Sequence, residues 1–262
     1  MEGYDASTYG DRFADVYDDW YGDLTDVTAC TERIEALVAA AGGGPVLELG
    51  VGSGRLAIPL VERGLEVHGI DASPAMAERL RAKPGGETVR LTIGDMRDLA
   101  LPDPPPFAVV LVAFNTLFNL PDAASQQRCL ERIAGVLAPD GRLVLEAFVP
   151  GDDLSAGGTV VPKRITADEV VLDVSMVDPT EQVVSGQHVH IREGGIRLRP
   201  WHLRYAPPTE LDAMAARAGL ELEERAAGWR AEAFTPASSV HVSTYRRGNV
   251  RDVRDQPPAD PR

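Results

Sequence analysis

At 262 residues the chain is long enough for one substantial α/β domain with a small addition, and 44% hydrophobic with 25% charged residues is an ordinary globular balance. With 40 acidic residues against 26 basic ones the formal net charge is −14, and no cluster of Lys and Arg is visible, which argues against nucleic acid and anionic membranes as partners. Cys30 and Cys129 are isolated, no basic leader precedes an apolar run, and no stretch approaches about 18 apolar residues, so a cytoplasmic protein with no membrane contact and no resident metal is expected.

The segment Tyr9-Gly10-Asp11-Arg12-Phe13-Ala14-Asp15-Val16-Tyr17-Asp18-Asp19-Trp20-Tyr21 mixes aromatics with acids and reads as an amphipathic helix, a lid within residues 1–30. Short apolar runs then alternate with helical stretches through residues 31–150. Strands are expected at 45–49, 65–70, 89–93 and 107–114, with helices at 55–63, 73–82 and 125–137 and a fifth strand at 141–148 after the turn Pro139-Asp140-Gly141. Such alternation implies a parallel sheet covered on both faces. Pro59 is tolerable if its helix starts near Arg55, because the missing N–H then falls among donors that have no partner anyway.

From Gly158 the period changes. Residues 170–177, 182–191 and 196–205 alternate like strands, separated by Asp178-Pro179-Thr180 and Glu193-Gly194-Gly195, so an antiparallel element is inserted over 151–206. Thr209 is expected to cap a helix to Ala218 with Asp212 as its capping-box partner. Two last strands, 220–224 and 240–245, complete residues 207–246, and 247–262, rich in Pro, Asp and Arg, reads as a disordered tail.

The segment that carries chemistry is Val46-Leu47-Glu48-Leu49-Gly50-Val51-Gly52-Ser53-Gly54-Arg55, a strand running into three alternate glycines and then a helix. Glycines there allow a tight turn and close approach of a ligand to the main chain. Asp71 ends the second strand, where an open α/β sheet places the acid that grips a ribose diol, and Asp95 ends the third strand on the same rim. Gly52-Ser53-Gly54-Arg55-Leu56-Ala57 also satisfies a G-x-G-x-x-A nicotinamide fingerprint. Glu48 just before the loop would repel a pyrophosphate, however, and suits a cation.

Together, Glu48-Leu49-Gly50-Val51-Gly52-Ser53-Gly54, Ile70-Asp71-Ala72-Ser73-Pro74-Ala75-Met76 and Gly94-Asp95-Met96-Arg97-Asp98 resemble the first three motifs of class I S-adenosylmethionine (SAM)-dependent methyltransferases. Leu137-Ala138-Pro139-Asp140-Gly141-Arg142-Leu143 resembles the turn into that family's fifth strand. The resemblance implies a doubly wound, seven-stranded Rossmann-like sheet with the antiparallel element inserted, SAM as cofactor and S-adenosylhomocysteine (SAH) as product. It puts Glu48, Gly50, Gly52 and Gly54 against the methionine part, Asp71 on the ribose, Met76, Asp95 and Met96 around the adenine, and Phe114 as the closing wall. The Tyr17-Asp18 pair is similar to the N-terminal lid of sugar-amine N-methyltransferases, which implies that Tyr17 reaches the SAM carboxylate, with Tyr21 as a pocket wall.

The acceptor is expected to be a small metabolite, a natural-product intermediate methylated on N or O. Asn115, in Ala113-Phe114-Asn115-Thr116-Leu117-Phe118-Asn119, is placed to orient it, and His188, His190 or His202 of the inserted sheet could serve as general base. The insertion resembles that of sugar-amine and glycine N-methyltransferases, where it covers the pocket or builds a homodimer. Trp201, with Leu203 and Tyr205 on one face, suits either role. The 115–119 segment and the loop 228–239 depart from those families, so no substrate carries over. Two other readings remain: a SAM-binding cyclase or sensor that transfers no methyl, and an NAD-dependent oxidoreductase.

Overall fold

The computed structural model describes residues 1–22, 25–151 and 154–248. The N-terminal segment forms two short helices, α1 (Thr8–Phe13) and α2 (Tyr17–Tyr21), rather than the single helix expected. The break lets Phe13 be fully buried while Tyr17, Trp20 and Tyr21 pack on it from the second helix. α3 (Val27–Ala40) is capped by Asp26, whose side chain accepts from Ala29 N–H, so the expected lid boundary at residue 30 falls inside a helix of the core.

β1 (Val46–Leu49) is buried along its length, as an apolar strand must be when helices cover both faces of a sheet. α4 (Ala57–Glu62) follows the glycine loop, and Pro59 sits in its first turn. β2 (Val67–Asp71) leads to α5 (Pro74–Arg81), capped by Ser73, and β3 (Arg90–Ile93) ends at Gly94-Asp95. β4 (Phe107–Val112) is again fully buried, and α6 (Ala123–Val136), capped by Asp122, precedes β5 (Leu137–Phe148). β5 begins four residues earlier than expected because Leu137 already pairs with Phe107. The Pro-Asp-Gly turn is a bulge between that pair and Val109–Arg142.

The second sheet has four antiparallel strands, β6 (Gly157–Ile165), β7 (Glu169–Asp178), β8 (Val183–Arg192) and β9 (Gly195–Arg204), paired in that order. β6 was not expected; it is exposed throughout and has no alternation of apolar and polar residues to announce it. The register sets Asp173, His188 and Arg199 side by side on one face, and Gly186 opposite Trp201, where a Cβ would lie 2.4 Å from the indole.

α7 (Pro208–Arg217) has Pro207 at its N-cap with no side-chain cap, so the Thr209–Asp212 capping box does not form. Asp212 instead pairs with Arg225 at 2.6 Å and accepts from Tyr245 Oη at 2.9 Å. β10 (Leu220–Ala226) and β11 (Val240–Arg247) complete the large sheet in the order β10-β11-β5-β4-β1-β2-β3, with β11 antiparallel to both neighbours. Arg247, the first residue of the expected tail, belongs to β11, and residues 249–262 lie outside the described residues. α3 and α4 cover one face through Ile34, Val38 and Leu60, and α6 and α7 the other through Leu130, Ile133, Leu211 and Met214. No helix among the described residues is long and apolar enough to cross a membrane.

His241 on β11 is fully buried, with Nδ1 2.8 Å from Ser243 Oγ and no partner at Nε2. Burial depresses its pKa from 6.5 to about 4. The unfolded chain therefore binds the extra proton first, and stability is lost as pH falls from 6.5 towards 4. Urea denaturation should show His241→Asn losing about 2 kcal/mol less than the wild type between pH 7 and pH 5; identical losses would show that His241 carries no acid sensitivity.

Candidate active site

The carboxyl ends of β1, β2, β3 and β4 open on one crevice, where the winding of the sheet reverses across β1. The inner face of the four-stranded sheet and the α1–α2 segment close it from the other side. The cavity between them measures about 960 Å³. That is at the upper end for a small-ligand site, enough for two ligands end to end.

Gly50 and Gly52 adopt φ of +63° and +55°, and a Cβ on Gly50 would come within 2.6 Å of Thr116 Cγ2. Asp71 fastens the loop: Oδ2 accepts from Gly52 N–H and Oδ1 from Ser73 N–H, both at 2.8 Å. Gly50, Gly52, Asp71, Met76, Asp95, Met96 and Phe114 all line the cavity, as does Tyr17. Gly54 does not. Its missing Cβ makes room for Ile58 and Leu80, so this third glycine serves the packing of α4 against α5.

Glu48 lies just behind the loop, buried, with Oε2 lacking any hydrogen-bond partner, and burial raises its pKa to about 8. Arg55 rests over the Phe114 ring at 5.5 Å, with Nη1 equally buried and unpartnered. Neither Glu48 nor Arg55 lines the cavity; an acid and a guanidinium that each keep an unpartnered atom, buried behind its glycine-loop end, carry the charges that complement a zwitterion such as the amino-acid end of SAM. Burial also raises Glu146, which accepts from Trp229 Nε1 and Phe114 N–H, both at 2.8 Å. Sequence reasoning gave no role to Glu146 or Trp229, yet they hold the turn at Phe114 and Asn115, where φ is +47° and +62°.

Asn115 lines the cavity, but its Oδ1 accepts from Phe148 N–H at 2.7 Å, leaving only Nδ2 free to meet an acceptor. Of the three histidines, His188 and His202 line the cavity and His190 does not. His190 shares the face of β8 with His188, as its spacing predicts, but pairs with Glu169 at 2.6 Å and packs on Trp20. His202 lies on the opposite face at Ser185, with Nδ1 2.8 Å from that hydroxyl. Trp201 and Tyr21 line the cavity too. Among the described residues no group of three or more His, Cys, Asp or Glu could hold a metal.

Tyr4, Tyr9, Trp20, Lys163, Arg164 and Asp173 also line the cavity, and none was singled out from the sequence. The aromatics stood in or beside the N-terminal segment already marked, while Lys163 and Arg164 lie on the unexpected β6. Asp173, an acid amid the apolar alternation of β7, was the available signal.

A methyltransferase-domain family matches residues 46–141, which run from the glycine loop to the start of β5. Over the whole chain the fold is similar to the structure of the CcbJ methyltransferase from Streptomyces caelestis. The identity is 41%, the coverage 94% of this chain and 100% of that one, and the TM-score 0.84. SAM-bound CalS10, an amino pentose methyltransferase from Micromonospora echinaspora involved in calicheamicin biosynthesis, is 25% identical over 87% of this chain and 96% of that one, with a TM-score of 0.64. The cypemycin N-terminal methyltransferase of a Streptomyces is 29% identical over 78% of this chain and 84% of its own. The chain spans 60% of the length of two Geobacillus methyltransferases that it also matches.

Proposed function

Because the chain belongs to the SAM-dependent methyltransferases of small molecules, we propose that it methylates the nitrogen of a small amine, an intermediate in natural-product assembly. One observation supports this reading: the cavity runs from the glycine loop, behind which Glu48 and Arg55 each bury an atom without a partner, to an aromatic end at the second sheet. SAM, bound at the first end, supplies an electrophilic methyl group.

The residues at that end fit the cofactor. Glu48 takes the ammonium, Arg55 and Tyr17 the carboxylate, and Gly50 and Gly52 let the main chain come close. Asp71 uses its remaining lone pairs on the ribose hydroxyls, Met76, Asp95 and Met96 flank the adenine, and Phe114 closes the wall. At the other end the aromatic side chains of Tyr9, Tyr21 and Trp201 line the cavity. Rings attract an ammonium while excluding water, and aligning the acceptor nitrogen is worth up to roughly 7–11 kcal/mol. An alkyl hydroxyl, far less acidic than an ammonium, would need a stronger base than this wall offers. The names of two relatives, an amino pentose methyltransferase and an N-terminal methyltransferase, support the nitrogen reading. The α1–α2 segment acts as lid and the four-stranded sheet as substrate cover. Its opposite face, apolar and exposed at Val160, Ile165, Met176, Ile196 and Leu198, receives a second copy of the chain.

Incubating the protein with SAM and a panel of amines, including a methyl aminopentoside and a tripeptide with a free N-terminus, should yield SAH and a product heavier by one methylene in mass spectrometry. Tight SAM binding with no SAH from any amine would favour a cyclase or sensor instead. Because Glu48 is protonated at pH 7, pairing with the cofactor ammonium should release about one proton, and affinity should rise with pH towards 8. Calorimetry in two buffers of different ionisation enthalpy should register that release in the wild type and none in Glu48→Gln; equal release in both would remove Glu48 from this role. Sedimentation should give a dimer that Ile196→Lys dissociates, whereas a wild-type monomer at micromolar concentration would refute the paired sheets.

A further inference from the structure

Across the cavity from the glycine loop, three side chains stand in a row that cofactor binding does not require. Asp173 and His188 are directly opposite one another on β7 and β8, and His188 Nδ1 lies 3.7 Å from Asp173 Oδ1 with no hydrogen-bond partner of its own. The other ring nitrogen, Nε2, lies 3.3 Å from the Tyr21 hydroxyl. All three line the cavity. The imidazole is wedged edge-on against Phe13 and Trp20, with centroids 5.5 and 5.8 Å away, so its plane is fixed with one nitrogen towards the acid and the other towards the phenol.

An amine arrives at such a pocket mostly as an ammonium. With a lysine-like pKa near 10.4, well under about one molecule in a thousand is neutral at pH 7, and only the neutral form has a lone pair to offer. We propose that Tyr21, His188 and Asp173 form a proton relay that deprotonates the acceptor ammonium inside the cavity. One acceptor N–H bond breaks and its proton passes to Tyr21 Oη, while the Tyr21 hydroxyl proton passes to His188 Nε2. The products are a neutral amine, an unchanged phenol and an imidazolium, which later gives its proton to solvent. His188 is the base, and Asp173 is a positioning residue that keeps the resting proton on Nδ1 and so the lone pair on Nε2.

The surroundings agree with those roles. Burial lowers the His188 pKa, the Asp173 charge opposes that fall, and Lys163 and Arg199 add to it. Arg199 is tied to Asp15 on the lid, and Lys163 lies 3.9 Å from Asp173. The imidazole is therefore neutral at pH 7 and free to accept. Burial raises Tyr21 to about 12, so it hands a proton on rather than resting as phenolate.

This inference rests on the amine-methyltransferase reading, but its first test needs no acceptor. Long-range proton–nitrogen correlation spectra of protein labelled with ¹⁵N-histidine report the tautomer, and His188→Gln identifies the resonance by its loss. Wild-type His188 should be neutral at pH 7.5 with its proton on Nδ1. Asp173→Asn, whose amide offers a donor to Nδ1, should move that proton to Nε2. A His188 that is charged at pH 7.5, protonated on Nε2, or indifferent to Asp173→Asn would overturn the relay. With whichever amine of the panel turns over, His188→Gln should lose about 100-fold in kcat at pH 7 with SAM KM within about twofold, and the deficit should shrink as pH approaches the acceptor pKa. A deficit equal at every pH, or none, rejects the relay while leaving the methyltransferase reading intact. Absence of SAH from the wild type with every amine would sink the parent reading, and the relay with it.

Discussion

Three aspartates on one short segment hold the two sheets of this protein together. Asp11 accepts from Ser73 Oγ at 2.6 Å, Asp18 from Ser53 Oγ at 2.5 Å and Lys83 Nζ at 2.8 Å, and Asp15 pairs with the buried Arg199 of β9 at 2.6 Å. The first two fasten the segment to the cap of α5 and to the glycine loop; the third fastens it to the second sheet. Without them the cavity would have a floor and a roof but no wall between. The Arg199 contact carries the greatest energetic weight, because an almost fully buried guanidinium that lost its carboxylate would keep only the Arg12 carbonyl as a hydrogen-bond partner.

The acids of the chain divide by environment. Asp15 and Asp18 are drawn below the ordinary carboxylate range by Arg199 and by Lys83 with Ser53, against the opposing effect of partial burial. Glu48, Asp71 and Glu146 are raised by burial. Paired acids hold structure in place; acids left raised want a positive charge or a further donor, and they cluster where the parallel strands end. The net charge of −14 alone could not reveal this division, since the formal count assigns every acid the same charge.

The large sheet and its rim were legible because their signals are local. A strand, a glycine turn and an acid at the next strand's end occupy short stretches of sequence, and Gly50, Gly52, Asp71, Asp95 and Phe114 duly reach one cavity. What sequence reasoning missed depends on partners far along the chain. β6 was silent because a fully exposed edge strand needs no alternating pattern. Thr209 and Asp212 have capping-box spacing, yet Arg225 and Tyr245 offered Asp212 two charged or polar partners from neighbouring strands. Gly54 belongs to the glycine pattern but answers to Ile58 and Leu80, and His190 keeps step with His188 but finds Glu169 first.

The inserted sheet joins the cavity wall to the N-terminal segment through its register. Because Asp173, His188 and Arg199 occupy facing positions on three consecutive strands, a group that lines the cavity and a group that clasps the α1–α2 segment stand on the same row. Arg199 also lies 5.4 Å over the Trp20 ring, and Trp20 lies against His188. Any displacement of the α1–α2 segment that drew Asp15 away from Arg199 would therefore disturb the aromatic bracket around His188. The orientation of the imidazole thus depends on the α1–α2 segment as much as on its own strand, since Phe13 and Trp20 supply the rings it packs against.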